Sequence, residues 1–231
     1  MALPTYIGTG TFTLGAGAIN IPWPTHITND IGILVVETAN EAVTTPSGWT
    51  AVASSPQGTG TAAGTAATRL SMYWRRAVSA AETAAAIADS GNHQDGAIMV
   101  FRGCITTEDP IHVSTGSVNA TASTSATLPS VTTTVDECIV VQAIAHGIDS
   151  NTAQLSGWTH GGALTGLTQI LNESTRTQNG GGVGAVYGNL STAGASGTTG
   201  VTLATAFAVG MITIALKPPS TAYNSNFFLM F

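Results

Sequence analysis

The stretch Asn29-Asp30-Ile31-Gly32-Ile33-Leu34-Val35-Val36 is followed, after a polar gap, by Pro46-Ser47-Gly48-Trp49-Thr50. It returns later as Val135-Asp136-Glu137-Cys138-Ile139-Val140-Val141-Gln142 and Leu155-Ser156-Gly157-Trp158-Thr159. The acids Asp30 and Asp136 are 106 residues apart (136 − 30), and the tryptophans Trp49 and Trp158 are 109 apart (158 − 49). An acid opening an apolar β run, then Ser-Gly-Trp-Thr, twice at nearly one spacing, marks an internal duplication. The match extends upstream: Thr9-Gly10 and Thr115-Gly116 each end 20 residues before the acid (30 − 10 and 136 − 116).

Working outward, residues 31–36 read as a buried strand, because the run is almost continuously aliphatic. Residues 6–14 alternate loosely as a first strand, while Pro22-Trp23-Pro24 restricts residues 18–28 to an edge strand or connector. Pro46-Ser47-Gly48 is a turn into a strand at 49–53, and residues 54–67 read as a surface loop. Residues 68–78 show the clearest period of two: Leu70, Met72 and Trp74 share one face, and Arg69, Ser71, Tyr73 and Arg75 the other. Residues 83–89 are alanine-rich and score as helix on propensity, but their match to Thr198-Thr199-Gly200-Val201-Thr202-Leu203-Ala204 favours strand. A turn at 90–96 then leads to a buried strand at 97–102. In the second copy, 183–190 and 209–216 correspond to the strands at 73–74 and 97–102.

The run 201–216 has no charge, but 16 residues is short for a membrane span. Its first-copy counterpart holds Asp89, His93 and Asp95, so a pair of strands with a turn is expected and no membrane segment. The pattern as a whole predicts an all-β chain, a jelly-roll-like β-sandwich built from two duplicated halves (1–105 and 106–218) around one shared core. An apolar tail, 219–231, follows.

Composition narrows the function classes. Charged residues make up 8% of the chain, with Lys plus Arg 6 against Asp plus Glu 12, while 43% is hydrophobic. Disordered chains carry more charge and less apolar content. A net charge of −6 with one basic pair, Arg75-Arg76, argues against nucleic acid, which needs clustered cations. So little charge suits a protein whose surface is covered by neighbours. The start of the chain shows no basic and apolar signal pattern, which points to assembly inside a cell. Cys104 and Cys138 lie in or beside apolar runs, either as buried thiols or as a disulfide joining the halves.

The order Asn-Asp-x-Gly-Ile-Leu-Val-Val, Pro-x-Gly-Trp-Thr, Met-Tyr-Trp-Arg-Arg-Ala, Ala-Ile-Met-Val-Phe-Arg-Gly, Asp-Pro-Ile, then a Thr-rich run into Val-Asp-Glu resembles a family of bacteriophage and prophage virion proteins. The resemblance spans roughly residues 28–218 and implies a β-sandwich structural protein without a common catalytic residue set.

The residues themselves offer little chemistry. His26, His93, His112, His146 and His160 show no metal-ligand spacing, so a metal site would need distant strands to converge. Ser90, His93 and Asp95 hold the ingredients of a triad, but on a short turn they read as a hairpin. Asn179-Gly180-Gly181-Gly182 lacks the Gly-Lys-Ser/Thr of a phosphate loop. The acidic pairs Glu108-Asp109 and Asp136-Glu137 sit at strand boundaries as solvated charge. Trp49 and Trp158 read as structural core, a large ring capping each end of it. The tail residues Phe227, Phe228, Leu229, Met230 and Phe231 are an exposure hazard unless covered, which points to docking on a neighbouring subunit.

The expectation is a non-enzymatic virion structural protein, a capsid decoration or cement protein or a related tail component. It would be homo-oligomeric, need no cofactor or metal, and bind other virion proteins, with no nucleic acid or membrane partner. The alternative is a tail-fibre module that binds host glycans, which calls for an exposed aromatic shelf beside Asn and Asp.

Overall fold

The aliphatic run after Asp30 becomes the centre of a sheet. In the computed structural model, which describes residues 2–219, Ile31–Thr38 is a strand buried along its whole length. A strand covered on both faces has no solvent side to alternate toward, hence the unbroken apolar run.

In chain order the first half forms β1 (Thr5–Thr9), β2 (Thr13–Gly15), β3 (Ile19–Ile21), β4 (Ile31–Thr38), β5 (Thr50–Ala51), β6 (Gln57–Thr59), β7 (Thr68–Arg76), β8 (Ala85–Ile87) and β9 (Gln94–Arg102). The second forms β10 (Ile111–Leu128), β11 (Cys138–His146), β12 (Leu155–His160), β13 (Thr165–Thr175), β14 (Gly181–Leu190) and β15 (Thr199–Leu216). No helix occurs among the described residues, and the alanine-rich piece at 83–89 holds the short strand Ala85–Ile87, in line with its duplicate.

The duplication is one of whole sheets. One sheet has the order β1-β9-β4-β7-β5, the other β10-β15-β11-β14-β13, and the first four strands of each occupy matching places. The registers match as well: Ile31 pairs with Phe101 across β4 and β9, and Ile139 pairs with Leu216 across β11 and β15. The sheets pack face to face on one core. Ile31, Ile33, Val35, Met72, Met99 and Phe101 of the first meet Ile139, Val141, Val183, Ile212, Ile214 and Leu216 of the second. The shared core is as expected, but the halves do not interleave. Each half supplies one complete face of the sandwich.

The outer faces are covered by ribbons. In the first half, β3 pairs with β8, and Ile19, Ile21, Ala85 and Ile87 lie over Leu34, Val36, Ile98 and Val100. In the second, the far ends of β10 and β15 pair with each other, and Ala126, Leu128, Val201 and Leu203 lie over Ile144, Val209 and Met211. The expected turn within 201–216 is absent: β15 runs through as one strand of 18 residues, with register shifts in its pairing with β10 near Ser123 and Phe207. The chain bends there without leaving the strand, because bulges turn a ribbon without breaking its ladder. Among the described residues no helix is long and apolar enough to cross a membrane.

Two other segments differ from expectation. Within the loop 54–67, β6 pairs with β7 and Gln57 lies against Gly116 and Gly210 of the second sheet. The turn expected over 90–96 ends at His93, since β9 already begins at Gln94.

Candidate functional site

The sequence-predicted residues fall in different environments. Trp49 is buried on the outer face of the first sheet, where its ring meets Trp23 with centroids 5.3 Å apart. Trp158 is only half-buried, and its Nε1 donates to Gln169 Oε1 at 2.6 Å. Nor are the two tryptophans equivalent. The strand after Trp49, β5, pairs with β7, whereas Trp158 lies in β12, which pairs with β15. The shared capping role expected of them is therefore corrected: both rings lie outside the central core, on opposite outer faces. Phe227, Phe228, Leu229, Met230 and Phe231 lie outside the described residues.

Cys104 and Cys138 are free thiols in separate clusters, one in the central core and one on the outer face of the second sheet. Burial pushes their pKa values up to about 12 and about 11. The acidic pairs cap turns: Asp109 Oδ1 accepts from Ile111 N at 2.8 Å and Asp136 Oδ1 from Ala193 N at 2.7 Å. His26, His112 and His160 each serve a local backbone or hydroxyl bond. His146 is buried, and burial lowers its pKa to about 4, so it is neutral.

His93 is the exception. The spacing argument against a metal site looked only within short segments, and the structure brings distant strands together. Glu37 and Asp95 are direct partners across β4 and β9, and His93 enters from the residue before β9. All three side chains are fully buried. Their ligand-capable atoms lie within 4.8 Å of one another, the only such trio found among the described residues. Ser90 plays no part with His93, whose nitrogens meet Glu37 and Asn92, so the triad is not assembled.

The hydrogen bonds fix the histidine tautomer. Asn92 Oδ1 accepts the backbone N–H of Asn179 at 3.2 Å, so this atom is the oxygen, and His93 Nδ1–H donates to it at 3.0 Å. That leaves His93 Nε2 as a lone pair 2.7 Å from Glu37 Oε2. Thr68 Oγ1 donates to the other Glu37 oxygen at 2.8 Å. Among the described residues both oxygens of Asp95 are buried with no donor N–H or hydroxyl, and the one side chain that shares a proton with them is Glu37. Burial raises the carboxyls of Glu37 and Asp95 well above their ordinary range, the Glu37 charge adding to the rise at Asp95, while burial lowers His93. The inner face of Gly181, on β14 of the opposite sheet, closes over the His93–Glu37 contact, where a Cβ would collide with both side chains.

Comparison with known proteins adds nothing to this geometry. No family model, curated protein or solved structure matches the chain.

A second feature is on the surface. One edge of the second sheet is β10, an 18-residue strand that among the described residues pairs only with β15. It contains no proline and no Asp, Glu, Lys or Arg, and residues 120–122, 124 and 125 are exposed. Near its start, β6 packs against it, and Ser54 Oγ meets Ser114 Oγ at 2.8 Å. Further along, Ala120 and Ala122 face Thr59, Gly60 and Ala66 across a shallow groove, and no described strand pairs with this edge. A surface groove of about 420 Å³ lies between the halves and is lined by Thr9, Phe12, Gln169, Asn172 and Glu173 among others.

Proposed function

We propose that this protein is a non-enzymatic structural subunit of a bacteriophage virion, a capsid decoration or cement protein or a closely related tail component. It acts by pairing the free edge of β10 with the same edge of a second copy. The edge itself carries the reading. A free strand edge is a template for another strand, and monomeric proteins blunt it with lysine, proline or a very short strand. Here the edge is long, and charge is missing from it. Two such edges meet antiparallel without like-charge repulsion, and serine and threonine rows pair well across strands. Many weak contacts of this kind, repeated over a lattice, gain from high effective concentration. Placement in a virion rests on the order of motifs from Asn29 to Glu137 that resembles phage structural proteins.

The glycan-binding reading finds less support. Every aromatic ring among the described residues is buried or half-buried. In the groove between the halves, Asn172 already bonds the backbone of Gln154 and Leu155, and Gln169 is held by Trp158. Of the polar groups lining it, Asn172 and the Gln169 oxygen are thus already engaged by the protein.

The test is sedimentation of three full-strength samples: the wild type, Thr121→Lys with Thr124→Lys, and a chain ending at Ser220. Concentration-dependent association of the wild type, lost in the lysine variant, supports edge pairing. Loss in the shortened chain assigns the contact to Phe227, Phe228, Leu229, Met230 and Phe231 instead. Three identical monomers would sink the assembly reading. Mass spectrometry of purified particles reads the virion assignment directly, and absence of the protein from them overturns it.

A further inference from the structure

We propose that Glu37, His93 and Asp95 bind one divalent transition-metal ion, of which zinc fits best, and that the ion fastens β4 to β9 inside the sandwich. The inference is independent of the virion reading.

The donor set comes first. One imidazole nitrogen and two carboxylates form a mixed N/O site of the kind zinc accepts, with bonds of about 2.0–2.2 Å. Donors on one tetrahedral zinc stand about 3.3–3.5 Å apart, so the His93 Nε2–Glu37 Oε2 pair, now 2.7 Å apart, must open slightly while the rest of the cluster, within 4.8 Å, draws in. Calcium needs about six to eight oxygens, which a dry three-residue site does not offer. A second carboxylate oxygen or one water completes four-coordination.

The supporting shell is already in place. A metal-binding histidine usually donates its other N–H to a fixed acceptor, and Asn92 Oδ1 is that acceptor here. Thr68 likewise holds the Glu37 carboxylate through the oxygen that does not face His93.

Asp95 supplies an independent sign. A fully buried carboxyl whose only side-chain partner is another buried carboxyl, Glu37, is costly, and such a pair calls for an ion, a water or a proton. Two carboxylates beside a neutral imidazole carry a charge of −2, which a divalent ion cancels. Without the ion, burial forces the carboxyls to keep protons, in line with the upward shift at both.

The internal duplication shows that the fold does not require this cluster. Glu37 pairs with Asp95 and Leu70; at the corresponding places Ala145 pairs with Gly210 and Val183. By the same register, His93 corresponds to Ala208 (Gln94 pairs with Thr38 as Val209 pairs with His146). The second sheet therefore closes the same architecture with alanine, alanine and glycine where the first holds three ligands. Packing alone does not account for the difference.

The test uses the full chain, stripped with chelator and dialysed, then titrated with zinc chloride by calorimetry and followed by thermal unfolding. One zinc per chain and a raised Tm are expected, with no comparable effect of calcium or magnesium chloride. Asp95→Asn and Glu37→Gln keep the shapes of the side chains and should weaken binding at least about 100-fold. Cobalt substitution gives a second readout on the wild type alone, a visible absorption band of four-coordinate geometry, should the variants fold poorly. Absence of zinc binding by the wild type overturns the proposal. So does equal binding by wild type and Asp95→Asn, which would place the metal elsewhere.

Discussion

Glu37 and Asp95 stand directly opposite each other on adjacent antiparallel strands, both fully buried and both carboxylic. Like charges in that relationship destabilise a sheet. In metal-free protein the folded state resolves the conflict by raising both carboxyl pKa values. A group with a raised folded pKa contributes stability that is complete below its unfolded value and lost as pH rises through the folded one. Chelated protein should therefore lose stability as pH climbs from the ordinary carboxylate range into the alkaline range. In chelator at pH 8, Asp95→Asn should be more stable than wild type by about 1–2 kcal/mol, because an amide can donate to Glu37. Urea unfolding at several pH values checks this; a flat wild-type profile would show that the carboxyls do not titrate in the fold.

Asp30 and Asp136 share a place in the sequence repeat but not a role. Asp30 is 1% exposed; it accepts Arg102 Nε at 2.9 Å and Arg102 Nη2 at 2.8 Å, and also the N–H of Ile27 at 2.8 Å. Asp136 is exposed and caps one backbone N–H. Asp30→Ala should cost about 2–3 kcal/mol, and Asp136→Ala under about 1 kcal/mol. Denaturation midpoints of the two variants side by side decide it, and equal losses would contradict the assignment.

Gly210 keeps the two halves in contact. A Cβ there would fall on the Gln57 carbonyl oxygen of β6, a backbone atom that cannot swing away. Gly210→Ala should destabilise by about 2 kcal/mol. Gly161→Ala, where a Cβ meets nothing within 4 Å, is the control and should be near neutral. Comparable melting temperatures for both variants would refute the close approach.

The thiols of Cys104 and Cys138 should be inert in the folded protein. Burial holds their pKa values up, to about 12 and about 11, so thiolate is scarce at pH 8. A chromogenic disulfide reagent should titrate no thiol under native conditions and two after denaturation. Rapid native labelling of either cysteine would show that its cluster opens.

The sequence by itself determined the strands and their duplication. Residues 31–36 and 97–101 are apolar runs that report burial directly. The alternation at 70–74 marked the strand but not that Tyr73 is buried as well as Leu70 and Met72. Repetition turned the alanine-rich piece at 83–89 from a helix candidate into strand. The repeat left one sandwich or two open; too few bulky apolar residues in each half and a short link only favoured one shared core. Pairing partners were not legible, because a strand's neighbours depend on contacts far along the chain. Thus β5, which starts at the end of its Ser-Gly-Trp-Thr, and β12, which contains the second copy, join different partners, and the bend in β15 replaces an expected turn. The Glu37–His93–Asp95 cluster was hidden for the same reason. Glu37 is 56 residues from His93, and a local spacing search cannot see two strands of one sheet placed side by side. Only the antiparallel register of β4 and β9 brings these groups together, and only the sheet packed above them removes the water that would otherwise solvate their charge.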